Sequence, residues 1–468
     1  MRILEWLIIA ALAAYAVAPA RRWRSWLTVA ALAATAAHLL LEGYRWQMVP
    51  LYALVVVLAA LDAIRLLRPG RASRPQTRPA RRTRRGWAAL VAGLVVLLLA
   101  SAPPVLFPVP RLPDPGGSSR IGTVTFEWTD ASRLEAYTPA PDDLRKLMVQ
   151  VWYPALPAAG ARTAPWVDRL DVVGPHIADY LHLPSFFLDH ASLVQTNDYA
   201  DAPADPAGGP YPVVIYSHGW NGFRAINLNQ SEALASRGYI AVAVDHTYGA
   251  MVTAFADGQV ALNNPAAIPT GAPPDVYQTA TEQLEATFAA DLSFTLDQLA
   301  LLNSGAIPSP LTGKLDLTRV GVYGHSTGGG ATVVMCAADP RCKAALGMDP
   351  WVGPVPRPVL DAGLRQPFLA MMSQTWSNPD NSALLDTLLA AGTGDQMTMT
   401  IAGTSHYDFT MLPLLTPLAP ALGLKGPIDG QRGMQIITDH LVAFFDHYLK
   451  GVGEVNQAGY PEITFEPR

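Results

Sequence analysis

Residues 320–330 read Val320-Gly321-Val322-Tyr323-Gly324-His325-Ser326-Thr327-Gly328-Gly329-Gly330. The run 319–323 predicts a short buried strand, and 331–338 predicts a helix. Between them, Gly324 and Gly328 permit a turn too tight for a Cβ, so the Ser326 hydroxyl should project above the edge of a sheet. The helix N-terminus beside it supplies positive potential where an oxyanion would form. Strand, tight serine turn and helix in that order make a nucleophile elbow.

Outward from the elbow, strand-like runs recur at 123–128, 147–153, 212–217, 239–245, 344–348, 367–372 and 397–401. Helical patterns separate them at 228–237, closed by Gly238, at 277–302 and at 431–449. Strands alternating with helices imply an α/β domain, a mostly parallel sheet covered on both faces, over residues 118–468. Two segments rich in Pro, Ala and Gly, 156–209 and 250–275, read as insertions.

A serine hydroxyl is a weak nucleophile at neutral pH and needs a base, which in turn needs a carboxylate to orient it. After an elbow the chain order is Ser, acid, His. Of the downstream histidines, His440 and His447 fall in the closing helix and read as packing or surface residues. His406 follows the strand 397–401 in the loop Gly403-Thr404-Ser405-His406-Tyr407-Asp408 and is the expected base. Asp349, ending the strand 344–348 before Pro350, is the expected acid, with Asp380 as the alternative; the residues alone do not separate the two. A second oxyanion donor is expected from the loop Ser217-His218-Gly219-Trp220-Asn221-Gly222, so the backbone N–H groups of Trp220 and Thr327 form the expected pair. His218 reads as a residue that hydrogen-bonds that loop. His176 and His182 are isolated, no metal-ligand cluster is apparent, and no metal or other cofactor is expected.

The rest of the chain is of a different kind. Half of the 468 residues are hydrophobic and 15% are charged, against about 25% charged in an average soluble domain. Residues 1–107 carry net +11 and the remainder net −16. An acidic main domain makes a poor polyanion binder, and nucleic acid is not an expected partner. Four apolar stretches, 3–18, 26–41, 48–67 and 87–107, are expected to cross a membrane. The last two reach the roughly 20 residues that a bilayer core takes, and the first two are shorter. Ala100-Ser101-Ala102 resembles a cleavage site, but it follows three other apolar stretches and reads as part of a span.

With four spans, Arg21, Arg22 and Arg24 share one side with the nine arginines from Arg65 to Arg85. By the positive-inside rule that side is cytoplasmic, so the α/β domain should be extracytoplasmic. The arginine-rich loop should touch anionic headgroups, making membrane lipids an expected partner. A Pro/Gly tether, 108–117, joins the two parts. Only Asp62 and His38 lie within or near the spans, which speaks against a transporter. The apolar segment 411–424 reads as packing or as the rim of an entrance. Cys336 and Cys342 flank a short turn, and either a disulfide or two buried thiols fits.

Residues 145–450 resemble the platelet-activating factor acetylhydrolase family of α/β-hydrolases, in its plasma and intracellular type II branch. The matching pieces are Tyr216-Ser217-His218-Gly219 followed by Phe223-Arg224, Asp245-His246, Gly324-His325-Ser326-Thr327-Gly328-Gly329, Met348-Asp349-Pro350-Trp351 and Ser405-His406. The resemblance implies the α/β-hydrolase fold and calcium-independent removal of short or oxidised acyl chains from the sn-2 position of phospholipids. It also implies a triad of Ser326, Asp349 and His406. Asp349 stands 23 positions after Ser326, about the family's separation, which favours it over Asp380. Thr327 replaces a bulky aromatic of the animal enzymes, and the apolar stretches lie outside the resemblance. A general esterase on other esters, or a non-catalytic membrane scaffold or sensor, are the alternative readings.

Overall fold

The computed structural model describes residues 1–67, 84–456 and 459–468; most of the arginine-rich loop lies outside them. The chain forms two compact units. The first is Met1–Pro110 with Phe186–Val194 and Leu415–Leu418; the second is Arg111–Ser185, Gln195–Leu414 and Ala419–Arg468.

The first unit holds the helices α1 (Ile3–Val17), α2 (Arg21–Ala37), α3 (Val49–Leu67) and α4 (Arg84–Leu106). Ile8, Leu12, Ala31, Leu51, Val55 and Leu97 form its core. Among the described residues, three helical stretches are long and apolar enough to cross a membrane: Arg22–Glu42, Trp46–Leu67 and Gly86–Leu106. The second expected span reaches that length because α2 continues through a π-helical turn, His38–Glu42. The first does not. The residue before a proline is biased away from helix, and α1 stops at Val17, just ahead of Ala18-Pro19. Its 15 residues extend about 22 Å at 1.5 Å per residue, short of a core of roughly 30 Å.

Folding also gathers charges that are scattered along the sequence. Glu5 is buried and takes a two-pronged guanidinium contact from Arg45, at 2.8 Å to each oxygen, and a further bond from Arg2 at 2.9 Å. Arg45 is itself buried and donates to the carbonyls of Pro104 and Phe107 at the end of α4. Those last-turn carbonyls have no partner within a helix. The Tyr52 hydroxyl lies 3.0 Å from His38 Nδ1. A second cluster forms around Asp62, which accepts from Tyr15, Thr28 and Arg65. The expectation that only Asp62 and His38 lie near the spans is therefore corrected: Glu5 and Glu42 join His38, and Glu5 is matched by Arg45 and Arg2.

In the second unit, β1 (Ile121–Leu134) and β2 (Leu144–Pro154) lead through α5 (Leu170–Tyr180) and β3 (Asp198–Ala200) to β4 (Tyr211–Ser217), α6 (Leu228–Ser236) and β5 (Ile240–Asp245). A hairpin, β6 (Val252–Ala254) and β7 (Val260–Leu262), precedes α7 (Pro274–Ser304), β8 (Leu315–His325), α8 (Thr327–Ala338) and β9 (Cys342–Met348). The chain closes with α9 (Arg357–Ala362), β10 (Phe368–Ser373), α10 (Pro379–Ala391), β11 (Gln396–Ile401), α11 (Gly430–Phe445) and β12 (Ile463–Pro467). Ten strands form one sheet in the order β12-β11-β10-β9-β8-β4-β5-β2-β1-β3. The run from β5 to β11 is parallel, and β2 and β12 join its two sides antiparallel.

All six side chains of β5 are buried. Successive side chains point to opposite faces, so both faces of the sheet are covered, as expected for a parallel α/β sheet. The two inserted segments carry α5 and β3, and β6 with β7. Cys336 and Cys342 are joined as a disulfide across the turn between α8 and β9, with Cα atoms 5.2 Å apart.

Helix α6 is buried along its whole length and carries Glu232 inward. Glu232 accepts from the Asn197 backbone and side-chain N–H groups at 2.6 and 2.8 Å. Burial, then the charge of Asp198, push its pKa up to about 8, and burial raises Asp198 as well. A carboxyl whose folded pKa lies above its unfolded value contributes stability that is complete below the unfolded pKa and is lost as pH rises toward the folded one. Melting temperature should therefore fall between pH 5 and pH 8, and Glu232→Gln should lessen that fall by at least ~2 °C. Melting curves of both proteins at the two pH values check this.

Candidate active site

Strand β8 ends in His325 and delivers Ser326 at φ +54°, ψ −119°, a backbone conformation costly for any residue with a Cβ. The tightness of the turn accounts for its glycines. A Cβ on Gly324 would lie 2.1 Å from the carbonyl oxygen of Gly328, and one on Gly328 would lie 2.1 Å from that of Ser217. Ser326 is half-buried, and among the described residues its hydroxyl has no hydrogen-bond partner.

Asp349 follows β9 immediately, is fully buried, and also has positive φ, +43°. Its Oδ1 accepts from the Ser373 amide at 2.7 Å and its Oδ2 from the Ser373 hydroxyl at 2.6 Å. The same Oδ2 lies 3.0 Å from His406 Nδ1. That contact leaves Nε2 on the far edge of the ring. The runner-up Asp380 sits exposed in the first turn of α10; Asp349 stands beside the elbow because β9 runs directly beside β8, and it is Asp349 that His406 contacts.

The His406 loop is held from several sides. Asp408 Oδ2 accepts from the Ser405 amide at 2.7 Å and from the Gly426 amide at 2.6 Å. Trp376 stacks on the His406 ring, centroids 4.9 Å apart. His325 Nε2 lies 2.9 Å from the His406 carbonyl oxygen. Burial, then the neighbouring His406, hold the His325 pKa well below the usual imidazole range, so the neutral ring donates its Nε2–H to that carbonyl. No pattern in the sequence marks Ser373 or Trp376, and His325 stands inside the elbow motif with no role assigned to it; their roles arise from strand order.

The loop after β4 lies against the elbow: a Cβ on Gly219 would be 3.1 Å from Ser326 Cβ. Among the described residues, the amides of Trp220 and Thr327 make no hydrogen bond. His218 explains the loop's shape. Its Nε2 accepts from the His246 amide at 3.1 Å, so Nδ1 carries the hydrogen and donates to the Gly219 carbonyl at 2.7 Å. Burial, then His246, lower the His218 pKa to about 3 and keep it neutral. In a trans peptide the carbonyl and the next N–H point in opposite directions. Holding the Gly219 carbonyl therefore aims the Trp220 N–H away from the His218 ring.

A second Ser-His-Asp arrangement lies nearby. Ser217 Oγ is 2.9 Å from His246 Nε2, and His246 Nδ1 is 3.0 Å from Asp291 Oδ2. Arg145 binds Asp291 at 3.0 and 2.6 Å and Glu135 at 2.8 Å. Ser217, His246 and Asp291 are completely buried, and the His246 ring is stacked on Phe288 at 3.8 Å. No ester could reach this serine, so access disqualifies it, although Ser217, unlike Ser326, has its hydroxyl in hydrogen-bond contact with its histidine. A cavity of about 620 Å³ bordered by Tyr137, Asn264, Val276 and Gln283 contains none of the residues of either set. In the first unit, Glu5, His38 and Glu42 place potential metal-ligand atoms within 4.8 Å of one another, but Arg2 and Arg45 already occupy the Glu5 oxygens and balance the charge without an ion.

Residues 136–459 match the family model described as platelet-activating factor acetylhydrolase, isoform II. The chain is 25% identical over 261 residues to the platelet-activating factor acetylhydrolase of Cavia porcellus, covering 52% of this chain and 58% of that protein. It is 24% identical over 418 residues to a probable 1-alkyl-2-acetylglycerophosphocholine esterase of Arthroderma benhamiae, covering 80% and 98% of the two chains. Among solved structures it is similar to a ferulic acid esterase from Streptomyces cinnamoneus, with a TM-score of 0.63 and 27% identity over 76% of this chain and 99% of that one. The chain thus spans little more than half the length of the animal relative, and nearly all of the fungal relative and the solved esterase. With the family model matching well over half of its residues, the chain belongs to the platelet-activating factor acetylhydrolase isoform II family.

Proposed function

We propose that this protein is a membrane-anchored serine ester hydrolase that removes short or oxidised acyl chains from phospholipids. Ser326 attacks the ester carbonyl, His406 takes its proton and returns it to the leaving alcohol, and Asp349 stabilises the imidazolium. The amides of Trp220 and Thr327 hold the tetrahedral oxyanion, and water then deacylates the serine. The observation that carries this reading is the 3.0 Å contact of His406 Nδ1 with a buried Asp349, at the strand ends that surround a serine in a strained elbow.

The names of the relatives support a phospholipid substrate. The likeness to a ferulic acid esterase favours a second reading, a general esterase. Two experiments test and separate them. A fluorophosphonate should label the wild-type protein; a folded protein that resists labelling refutes the hydrolase reading. A kcat/KM series over acyl length should favour short-chain phospholipids over simple aryl esters, and the reverse order selects the second reading.

The apolar helices support anchoring, which keeps a lipid-soluble substrate close at hand. Sidedness does not depend on whether α1 crosses. The Arg22–Arg24 and Arg65–Arg85 segments are separated by two of the long helices and the α/β domain follows a third, so the domain lies opposite the arginines. Positive-inside then makes it extracytoplasmic.

His218→Ala removes one of the two donors to the Gly219 carbonyl, leaving the Gly222 amide at 2.8 Å, and so loosens the Trp220 peptide. Loss of one oxyanion donor costs about 10²–10³ in kcat; the expected loss here is about 10–10²-fold, because the amide remains present though misaimed. Steady-state kinetics should show it in kcat, with KM little changed.

A further inference from the structure

Glu285, on the inner side of α7, is completely buried, and neither carboxyl oxygen has a hydrogen-bond partner. It faces the start of the elbow helix. A Cβ on Gly330 would stand 2.1 Å from Glu285 Oε1 and 2.2 Å from the Trp351 carbonyl oxygen, so both oxygens crowd one point beside the Gly330 Cα. This crowding accounts for the third glycine of the Gly328-Gly329-Gly330 run. Two oxygens that can only accept repel each other when they crowd one point. A carbonyl cannot become a donor, whereas a carboxyl can, by keeping its proton. Burial acts in the same sense and raises the Glu285 pKa well above the carboxylate range. The chain neighbours Leu284, Phe288 and Ala331 on α7 and α8 belong to one apolar cluster, and neither it nor the Trp351 carbonyl from the loop after β9 carries a charge.

Trp351 is linked to the elbow a second time, since its N–H donates to the Ser326 carbonyl at 2.9 Å. It also lies two residues past Asp349. Ser326 and Asp349 both have positive φ, a conformation that persists only where neighbouring contacts hold it. We infer that Glu285 is a positioning residue: as a neutral acid it donates its O–H to the Trp351 carbonyl and pins the Asp349-Pro350-Trp351 turn to the nucleophile elbow. This rests on the roles assigned above to Ser326 and Asp349.

The test uses Glu285→Leu and Glu285→Gln in the full-length protein, with kcat on a short-chain ester and the rate of fluorophosphonate labelling as readouts. Leucine fills the space without a donor. It should fold with a melting temperature at least that of wild type, yet lose about tenfold in both rates, since misplacing a reacting group is costly even when binding is intact. KM should stay nearly constant. Glutamine places an N–H where the acid held its O–H and should recover most of the loss. Because the folded pKa lies above the unfolded one, stability is lost as pH rises, and wild type should fall behind Glu285→Gln in melting temperature as pH is raised from 5 to 8. Wild-type rates in Glu285→Leu, or equal damage in both variants, overturn the inference. Should Glu285→Leu fail to fold, parallel pH dependences of wild type and Glu285→Gln overturn it instead. A wild-type protein that is not labelled points to failure of the hydrolase reading rather than of this one.

Discussion

Replacing Ser326 by alanine is expected to lower kcat by roughly 10⁶-fold, about 8 kcal/mol of lost transition-state stabilisation. In the proposed mechanism the hydroxyl is the atom that forms the acyl bond, and neither His406 nor the free amides of Trp220 and Thr327 can replace it. A residual rate of about 10³ over water should survive, because oxyanion stabilisation and substrate binding do not need the hydroxyl. Fluorophosphonate labelling should vanish altogether. The fold should persist, since Ser326 Oγ has no hydrogen-bond partner among the described residues and its removal leaves none unpaired. Label that survives Ser326→Ala would move the nucleophile elsewhere, though not to Ser217, which is completely buried.

Asp349→Asn should cost about 10⁴-fold in kcat, near 5 kcal/mol. The carboxylate accepts from the Ser373 amide and hydroxyl and faces His406 Nδ1, so every contact it makes requires an acceptor. An amide keeps one oxygen for the Ser373 amide but turns an NH₂ toward His406. Nδ1 then becomes the acceptor, the proton moves to Nε2, and the imidazole can no longer take the Ser326 proton. The side chain differs by one atom in a site of unchanged shape, so the loss should appear in kcat with little change in melting temperature. Asp380→Asn is the control. That residue is exposed in the first turn of α10, where a charge contributes about 0.3–1 kcal/mol to the helix and nothing to the chemistry, and kcat should stay within about twofold. Equal losses in the two variants would reopen the choice of acid.

These two carboxylates mark where reading the chain stops being enough. The elbow around Ser326, the loop around His406 and the strands β4, β5 and β8 to β11 are legible because glycine turns and β-branched runs depend on residues a few positions apart. The same is true of the apolar stretches, although Pro19, which ends α1, needed a length in ångströms to become decisive. Asp349 and Asp380 look alike locally, each following a strand; what separates them is that β9 lies next to β8 and that Ser373 from β10 closes over the carboxylate. Glu5 and Arg45 are 40 positions apart, and neither signals the other. Ser217, His246 and Asp291 share the histidine–aspartate contact of the proposed triad and add a serine–histidine bond, and only their burial disqualifies them. Glu285 reads as one more polar position on a long helix until Gly330 and Trp351 are seen to face it. Backbone preference and hydrophobic period are local properties and travel with the chain, whereas distance, burial and the donor-acceptor match between remote residues are fixed by strand order and register, which no short stretch encodes.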